Sequence, residues 1–170
     1  NDIDWAMKPR DLAPSVLTCL AHLARIEHGA TGEARPVARL LQVHGRALHW
    51  GQTYKPSDFG QRFIDNYGWL EAFGTRGHFV NERVAAGFLI LGPDIVYPDH
   101  HHEAEEIYIP LSGTALWRKG DGGFEPRRPG EVIHHPSNVN HAMRTGETPL
   151  LALYLWRGGP LAARSTIALI

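Results

Sequence analysis

Cysteine is nearly absent, with Cys19 the single one in 170 residues. An intramolecular disulfide is therefore excluded, and any metal site has to be built from histidine and carboxylates rather than thiolates. No apolar run approaches the roughly 18–20 residues needed to cross a bilayer. Neither sign of charge is in excess: 17 Lys+Arg face 18 Asp+Glu, for a formal net charge of −1. The basic footprint of a nucleic-acid or anionic-membrane binder is missing. The first thirty residues carry no basic segment followed by an apolar one, so no secretory signal is expected. The chain starts at Asn1, and a start methionine or longer leader is expected to have been trimmed. These absences point to a cytoplasmic, soluble protein with one domain over 1–170, and 43% hydrophobic residues suffice for a packed core.

Histidine, by contrast, is abundant. There are 11, and six of them fall between His100 and His141. Clustered histidine at neutral net charge suggests metal ligation or proton transfer.

The first part of the chain, 1–75, reads as helical. Val16, Leu17, Leu20, Leu23 and Ile26 suit one helix face, with Asp11 or Ser15 as its cap. Val37, Leu40, Leu41 and Val43 suit a second. Phe59, Phe63, Ile64, Trp69, Leu70 and Phe73 suit a third, from Asp58 to Gly74. From Ala85 the texture changes to short β-prone segments divided by Gly, Pro and Asp turns, at 86–91, 95–97, 105–111, 114–118, 132–135, 141–144 and 150–156. That spacing predicts a mainly-β sandwich or barrel core over 85–158, preceded by the helices.

Chemistry concentrates in 97–108. If this stretch is extended, period-two alternation puts His100, His102, Glu106 and Tyr108 on one face, with Ala104 leaving room between them. Two imidazoles, a carboxylate and a phenol facing inward are costly unless something satisfies them, and a divalent metal does so. An antiparallel partner strand can bring His141 opposite this cluster. His134 and His135 are strand neighbours, so at most one points inward; both read as structural. The remaining histidines and Cys19 read as surface or core residues.

These residues resemble the two cupin motifs. Gly92, His100-x-His102, Glu106 and Gly113 match the first, with a gap after Gly92 two residues longer than usual. Gly130, Pro136-Ser137-Asn138, His141 and Thr145 match the second. Asn138 stands where the motif has Gly, tolerable because Asn enters the left-handed region readily. Thr145 stands where the motif has Asn. Together with the helical N-terminal part and residues 153–159, the chain resembles the cupin-type dimethylsulfoniopropionate lyases of the DddQ type, enzymes of marine bacteria.

The resemblance implies a cupin (double-stranded β-helix, jelly-roll) barrel and a β-elimination releasing acrylate and dimethyl sulfide. It implies one divalent transition metal ion (Zn, Fe, Mn, Co or Ni) on His102, Glu106 and His141, with Tyr108 also at the metal and His100 closer to a supporting position. Polarising the substrate carboxylate is Lewis-acid work. The elimination also needs a base within reach of the carbon, for which Tyr108 is the candidate, with Tyr97 as auxiliary. The sulfonium needs an aromatic face, for which Trp156 is favoured with Tyr97 assisting. A small-molecule substrate is the expected partner, and the pairing habit of cupins leaves a homodimer open. A cupin dioxygenase using Fe(II) and O₂, and a non-catalytic small-ligand-binding cupin, are the other readings; Tyr108 beside the ligands favours elimination.

Overall fold

The computed structural model describes residues 8–168, so the expected unit over 1–170 runs past the described residues at both ends. A 3-10 helix, Thr18–Arg25, is followed by α1 (Ala34–His44), α2 (Pro56–Phe59) and α3 (Gln61–Asp65). Eleven strands come next: β1 (Tyr67–Gly74), β2 (Phe79–Val80), β3 (Val84–Leu91), β4 (Val96–His101), β5 (Glu105–Ser112), β6 (Ala115–Lys119), β7 (Glu125–Arg127), β8 (Ile133–His135), β9 (His141–Thr145), β10 (Leu150–Arg157) and β11 (Thr166–Ile167). They form two sheets, ordered β2-β1-β3-β10-β5-β8 and β11-β4-β9-β6-β7. Almost every pairing is antiparallel, as the run of short turn-linked strands predicts; β1 with β2 is parallel.

The six-stranded sheet is covered on both faces. Inside, Leu89, Leu91, Tyr97, Trp117, Met143 and Leu150 belong to the core shared by the two sheets. Outside, Leu70, Ile90, Leu111 and Leu151 pack against Leu20, Leu23, Ile26 and Trp50 of the helical part. This double burial explains why β3 and β10 read as continuous apolar runs without alternation.

It also explains where the expected third helix fails. Helical structure ends at Asp65, and Trp69, Leu70 and Phe73 lie in β1, paired with β3 from Tyr67 to Phe73. Tyr67, Trp69 and Glu71 line the interior while Leu70 and Ala72 meet the helices. With apolar residues on both faces, a strand mimics helical spacing. Gly68 is required here, because a Cβ would sit 2.7 Å from Cys19 Sγ. The barrel strands therefore reach outside the expected 85–158, from Tyr67 to Ile167.

The first expected helix is a shorter 3-10 helix, in which Cys19, Leu20 and Leu23 are buried and Val16 lies outside, fully exposed. Neither Asp11 nor Ser15 caps it. Ser15 Oγ instead donates to the Trp50 carbonyl at 2.6 Å and accepts from the Trp50 amide at 2.9 Å. In α1, Ala38 and Leu41 face the core, whereas Leu40 and Val43 are 60% and 64% exposed.

Both departures from the motifs have a physical account. Asn138 adopts φ 60°, and its amide donates to the His102 carbonyl at 2.8 Å, docking the second-motif turn onto the first-motif strand. Thr145 Oγ1 donates to the Gly92 carbonyl at 2.7 Å and accepts from the Ile95 amide at 2.9 Å. A buried hydroxyl thus does the tying. Thr145→Val keeps the shape and leaves the Ile95 amide without its partner. It should cost about 1–3 kcal/mol, read as a lower urea midpoint at unchanged slope. An unchanged midpoint would show that the hydroxyl ties nothing.

Candidate metal centre

Three of the expected residues converge. One ligand-type atom from each of His102, Glu106 and His141 lies within 4.8 Å of the other two, and all three side chains are buried. The convergence follows from strand pairing. His141 opens β9 directly opposite His100 on β4, and Glu106 sits on β5 with its side chain turned inward. A register shift in β4 between Tyr97 and His100 lets both of these side chains enter the core, although simple alternation would separate them.

The histidines are presented in one way. His100 Nδ1 lies 2.8 Å from the Pro98 carbonyl, His102 Nδ1 2.8 Å from the Ala104 carbonyl, and His141 Nδ1 2.9 Å from the Val139 carbonyl. A carbonyl only accepts, so each Nδ1 is assigned the ring proton, and each neutral ring keeps a bare Nε2. The Nε2 atoms of His102 and His141 both stand 3.2 Å from Glu106 Oε2. His141 Nε2 is buried with no hydrogen-bond partner. Lone pairs facing a carboxylate oxygen in a dry interior call for a cation between them. An outer N–H held by a backbone carbonyl is the usual support of a metal-bound imidazole. The donor set therefore fits a divalent metal, with nitrogen and oxygen ligands that suit the later first-row ions.

Glu106 is 1% exposed, and burial opposes its charge. Hydrogen-bond donors or a cation at its oxygens work the other way, and two of its three ring-nitrogen neighbours bring lone pairs rather than donors. Desolvation, reinforced by His141, keeps the His100 imidazole well below its ordinary value and therefore neutral. His100 stacks on Tyr97 with ring centres 4.0 Å apart and meets His141 edge-on at 4.2 Å. Its ligand-type atoms fall outside the three-residue cluster.

A pocket opens to solvent beside the cluster. Its wall includes Tyr97, Glu106, Tyr108 and Trp156 from the expected set. Burial, then the Glu106 carboxylate, raises the Tyr108 phenol well above its ordinary value. Tyr97 is likewise raised by burial, and its hydroxyl is 3.0 Å from that of Tyr54. Trp156 donates its indole N–H to Glu106 Oε1 at 2.6 Å, and its ring lies 4.0 Å from that of His102. It is tied to the cluster itself as well as to the pocket wall.

Sequence reasoning missed several residues. His135, read as structural, is fully buried with Nδ1 3.4 Å from Glu106 Oε2; its neighbour His134 points out to Glu105 at 2.7 Å. The parity of β8 was masked because Val132, on the outward side, is apolar and 65% exposed. Glu71 and Arg76 also line the pocket, paired at 3.3 Å, with the guanidinium 4.6 Å from the Trp69 ring centre. No motif flags them: Glu71 lies in the segment read as a helix, and Arg76 follows that segment.

Comparison with known proteins bears on this geometry. The sequence profile of the dimethylsulfoniopropionate (DMSP) lyase family matches residues 4–152. DMSP lyase DddQ of Ruegeria pomeroyi is 39% identical over 116 residues, covering 67% of this chain and 57% of that protein. Putative DMSP lyase DddL of Cereibacter sphaeroides is 32% identical over 152 residues, covering 87% of this chain and 62% of that protein. The chain thus spans about three fifths of the length of these relatives. The crystal structure of DddQ from Ruegeria pomeroyi superposes with a TM-score of 0.89 at 27% identity, over 99% of this chain and 85% of that one. The expected cupin barrel is the fold observed. By the extent of the profile match, supported by these relatives, the chain belongs to the DMSP lyase family.

Proposed function

We propose that the chain is a metal-dependent carbon–sulfur lyase acting on a small sulfonium carboxylate, dimethylsulfoniopropionate. The observation that carries this reading is the buried His102–Glu106–His141 cluster beside a pocket walled by tyrosine and tryptophan. The names of the relatives support the substrate.

In this reading His102, Glu106 and His141 hold the metal, with Tyr108 adjacent. When bound, the metal supplies Lewis-acid polarisation of the substrate carboxylate, which acidifies the neighbouring C–H. Tyr108, as the phenolate, takes that proton and becomes the neutral phenol. The C–H electron pair becomes the C=C bond of acrylate, and the C–S pair leaves with sulfur as neutral dimethyl sulfide. An uncharged phenol is a poor base, and burial beside Glu106 makes it poorer. Tyr108 acts as a base only with a positive charge at the cluster, which ties the two roles together. Trp156 and Tyr97 face the sulfonium with aromatic surface. Tyr97 also assists in proton handling through its contact with Tyr54. His100 acts through its stack on Tyr97 and its contact with His141, keeping both rings in place.

Two measurements test this. Purified protein given DMSP should release dimethyl sulfide without consuming oxygen, and Tyr108→Phe should reduce the rate by roughly 100- to 10,000-fold. Sulfide release at an undiminished rate by Tyr108→Phe removes Tyr108 as base. Oxygen consumption without sulfide replaces the lyase by a dioxygenase. Separately, a divalent ion at about a hundred times its Kd should stabilise the folded protein by roughly 2.7 kcal/mol, about 5–10 °C in Tm for a chain of this size. Chelator should reverse that rise, and Glu106→Gln should abolish it. A melting point indifferent to every ion tried would remove the metal.

A further inference from the structure

Glu106 Oε2 is approached by three ring nitrogens, and they are not equivalent. His102 and His141 have their Nδ1 protons committed to backbone carbonyls, so their Nε2 atoms bring lone pairs. His135 turns the other nitrogen toward the carboxylate, with Nδ1 at 3.4 Å. Its Nε2 is buried with no partner. A neutral imidazole carries one ring proton. With the proton on Nε2, the structure would hold an orphaned buried donor and a lone pair facing a carboxylate. With the proton on Nδ1, it holds one unpaired acceptor, the weaker fault, and a hydrogen bond to an anion. The ring is therefore an N–H donor to Oε2.

The same ring lies flat on His141, centres 4.1 Å apart and planes 11° from parallel. Strand pairing sets both contacts: His135 on β8 is directly opposite Glu106 on β5, and the turn docked on the His102 carbonyl leads from His135 to His141. One side chain thus touches two of the three cluster residues, while Trp156 holds the other oxygen, Oε1.

We propose that His135 is a positioning residue for the metal centre: its Nδ1–H takes one lone pair of Glu106 Oε2 and leaves the other aimed between His102 and His141. This inference rests on the metal reading of the cluster. It assigns a role to a histidine at none of the fixed positions of either motif, and the effect is on metal affinity rather than on folding.

The test is equilibrium binding of Zn²⁺ to chelator-stripped protein, in competition with a chromophoric chelator, with melting curves recorded with and without the ion. His135→Phe keeps a ring against His141 and removes the donor; its affinity should fall by about ten- to a hundredfold. His135→Asn places an amide N–H near the Nδ1 position and should stay within about threefold of wild type. If His135→Phe does not melt cooperatively, His135→Gln, whose amide sits at the wrong distance, replaces it and should lose affinity likewise. The Zn²⁺-induced rise in Tm should shrink in the donor-free variant. A purely structural role would lower both melting points equally and leave the rise intact. Wild-type affinity in the donor-free variant, or equal losses in the Asn variant, overturns the proposal alone. A wild-type protein that takes up no Zn²⁺ overturns the metal reading and the proposal together.

Discussion

A carboxylate placed in the interior of a β-barrel is the constraint on which the rest of this structure depends. Glu106 is almost fully buried, and its negative charge is expensive unless positive charge or hydrogen-bond donors surround it. The barrel answers with Trp156 N–H on one oxygen and imidazoles around the other. Two of these imidazoles are fixed by backbone carbonyls in the tautomer that cannot donate to the carboxylate. The protein alone leaves the charge incompletely met, in a pattern that a divalent ion completes. Metal binding and the cost of the buried carboxylate are thus two sides of one arrangement.

The surrounding architecture gives this arrangement its rigidity and its access. The six-stranded sheet that carries β5 and β10 is packed on both faces, by the second sheet inside and by the helical part outside. Glu106 and Trp156 are direct cross-strand partners in that sheet, so their hydrogen bond is built into the register. His100 and His141 are cross-strand partners in the other sheet. Closing one sheet over the other brings the two pairs together. The pocket beside them is walled by residues from β1, β3, β4, β5 and β10 and by Leu161, Ala163 and Ser165, so aromatic faces and the Glu106 carboxylate share one wall.

Much of this was legible in advance, for local reasons. Alternation along 100–108 placed His102, Glu106 and Tyr108 on one face, because a strand has a strict period of two. The two-residue excess after Gly92 and the irregular pairing around Pro98 and Asp99 belong to the same stretch. The irregularity brings Tyr97 and His100 in together, which alternation alone would not allow. Where both faces of an element are buried, the pattern carries no such information. For that reason the apolar spacing of β1 reads as helix, which makes Trp69 a packing residue and gives no signal for Glu71, although both line the pocket. The exposed apolar Val132 hid the parity of β8 in the same way, and with it His135.

The sequence by itself determined the supply of ligand-type side chains, their spacing along each strand and the turns between strands, because these depend on residues a few positions apart. Only the tertiary structure decided which ring nitrogens are bare and which donate. It also decided that Trp156 serves Glu106 through its N–H, that Thr145 ties Gly92 to Ile95, and that His135 stacks on His141. Trp156, Thr145 and His135 meet partners brought close by strand pairing or by turns from distant positions, whereas the carbonyls that take the ring protons of His100, His102 and His141 stand two residues away and are aimed by the local course of the folded backbone. No local propensity encodes the proton position of a histidine whose acceptor is supplied by the folded backbone.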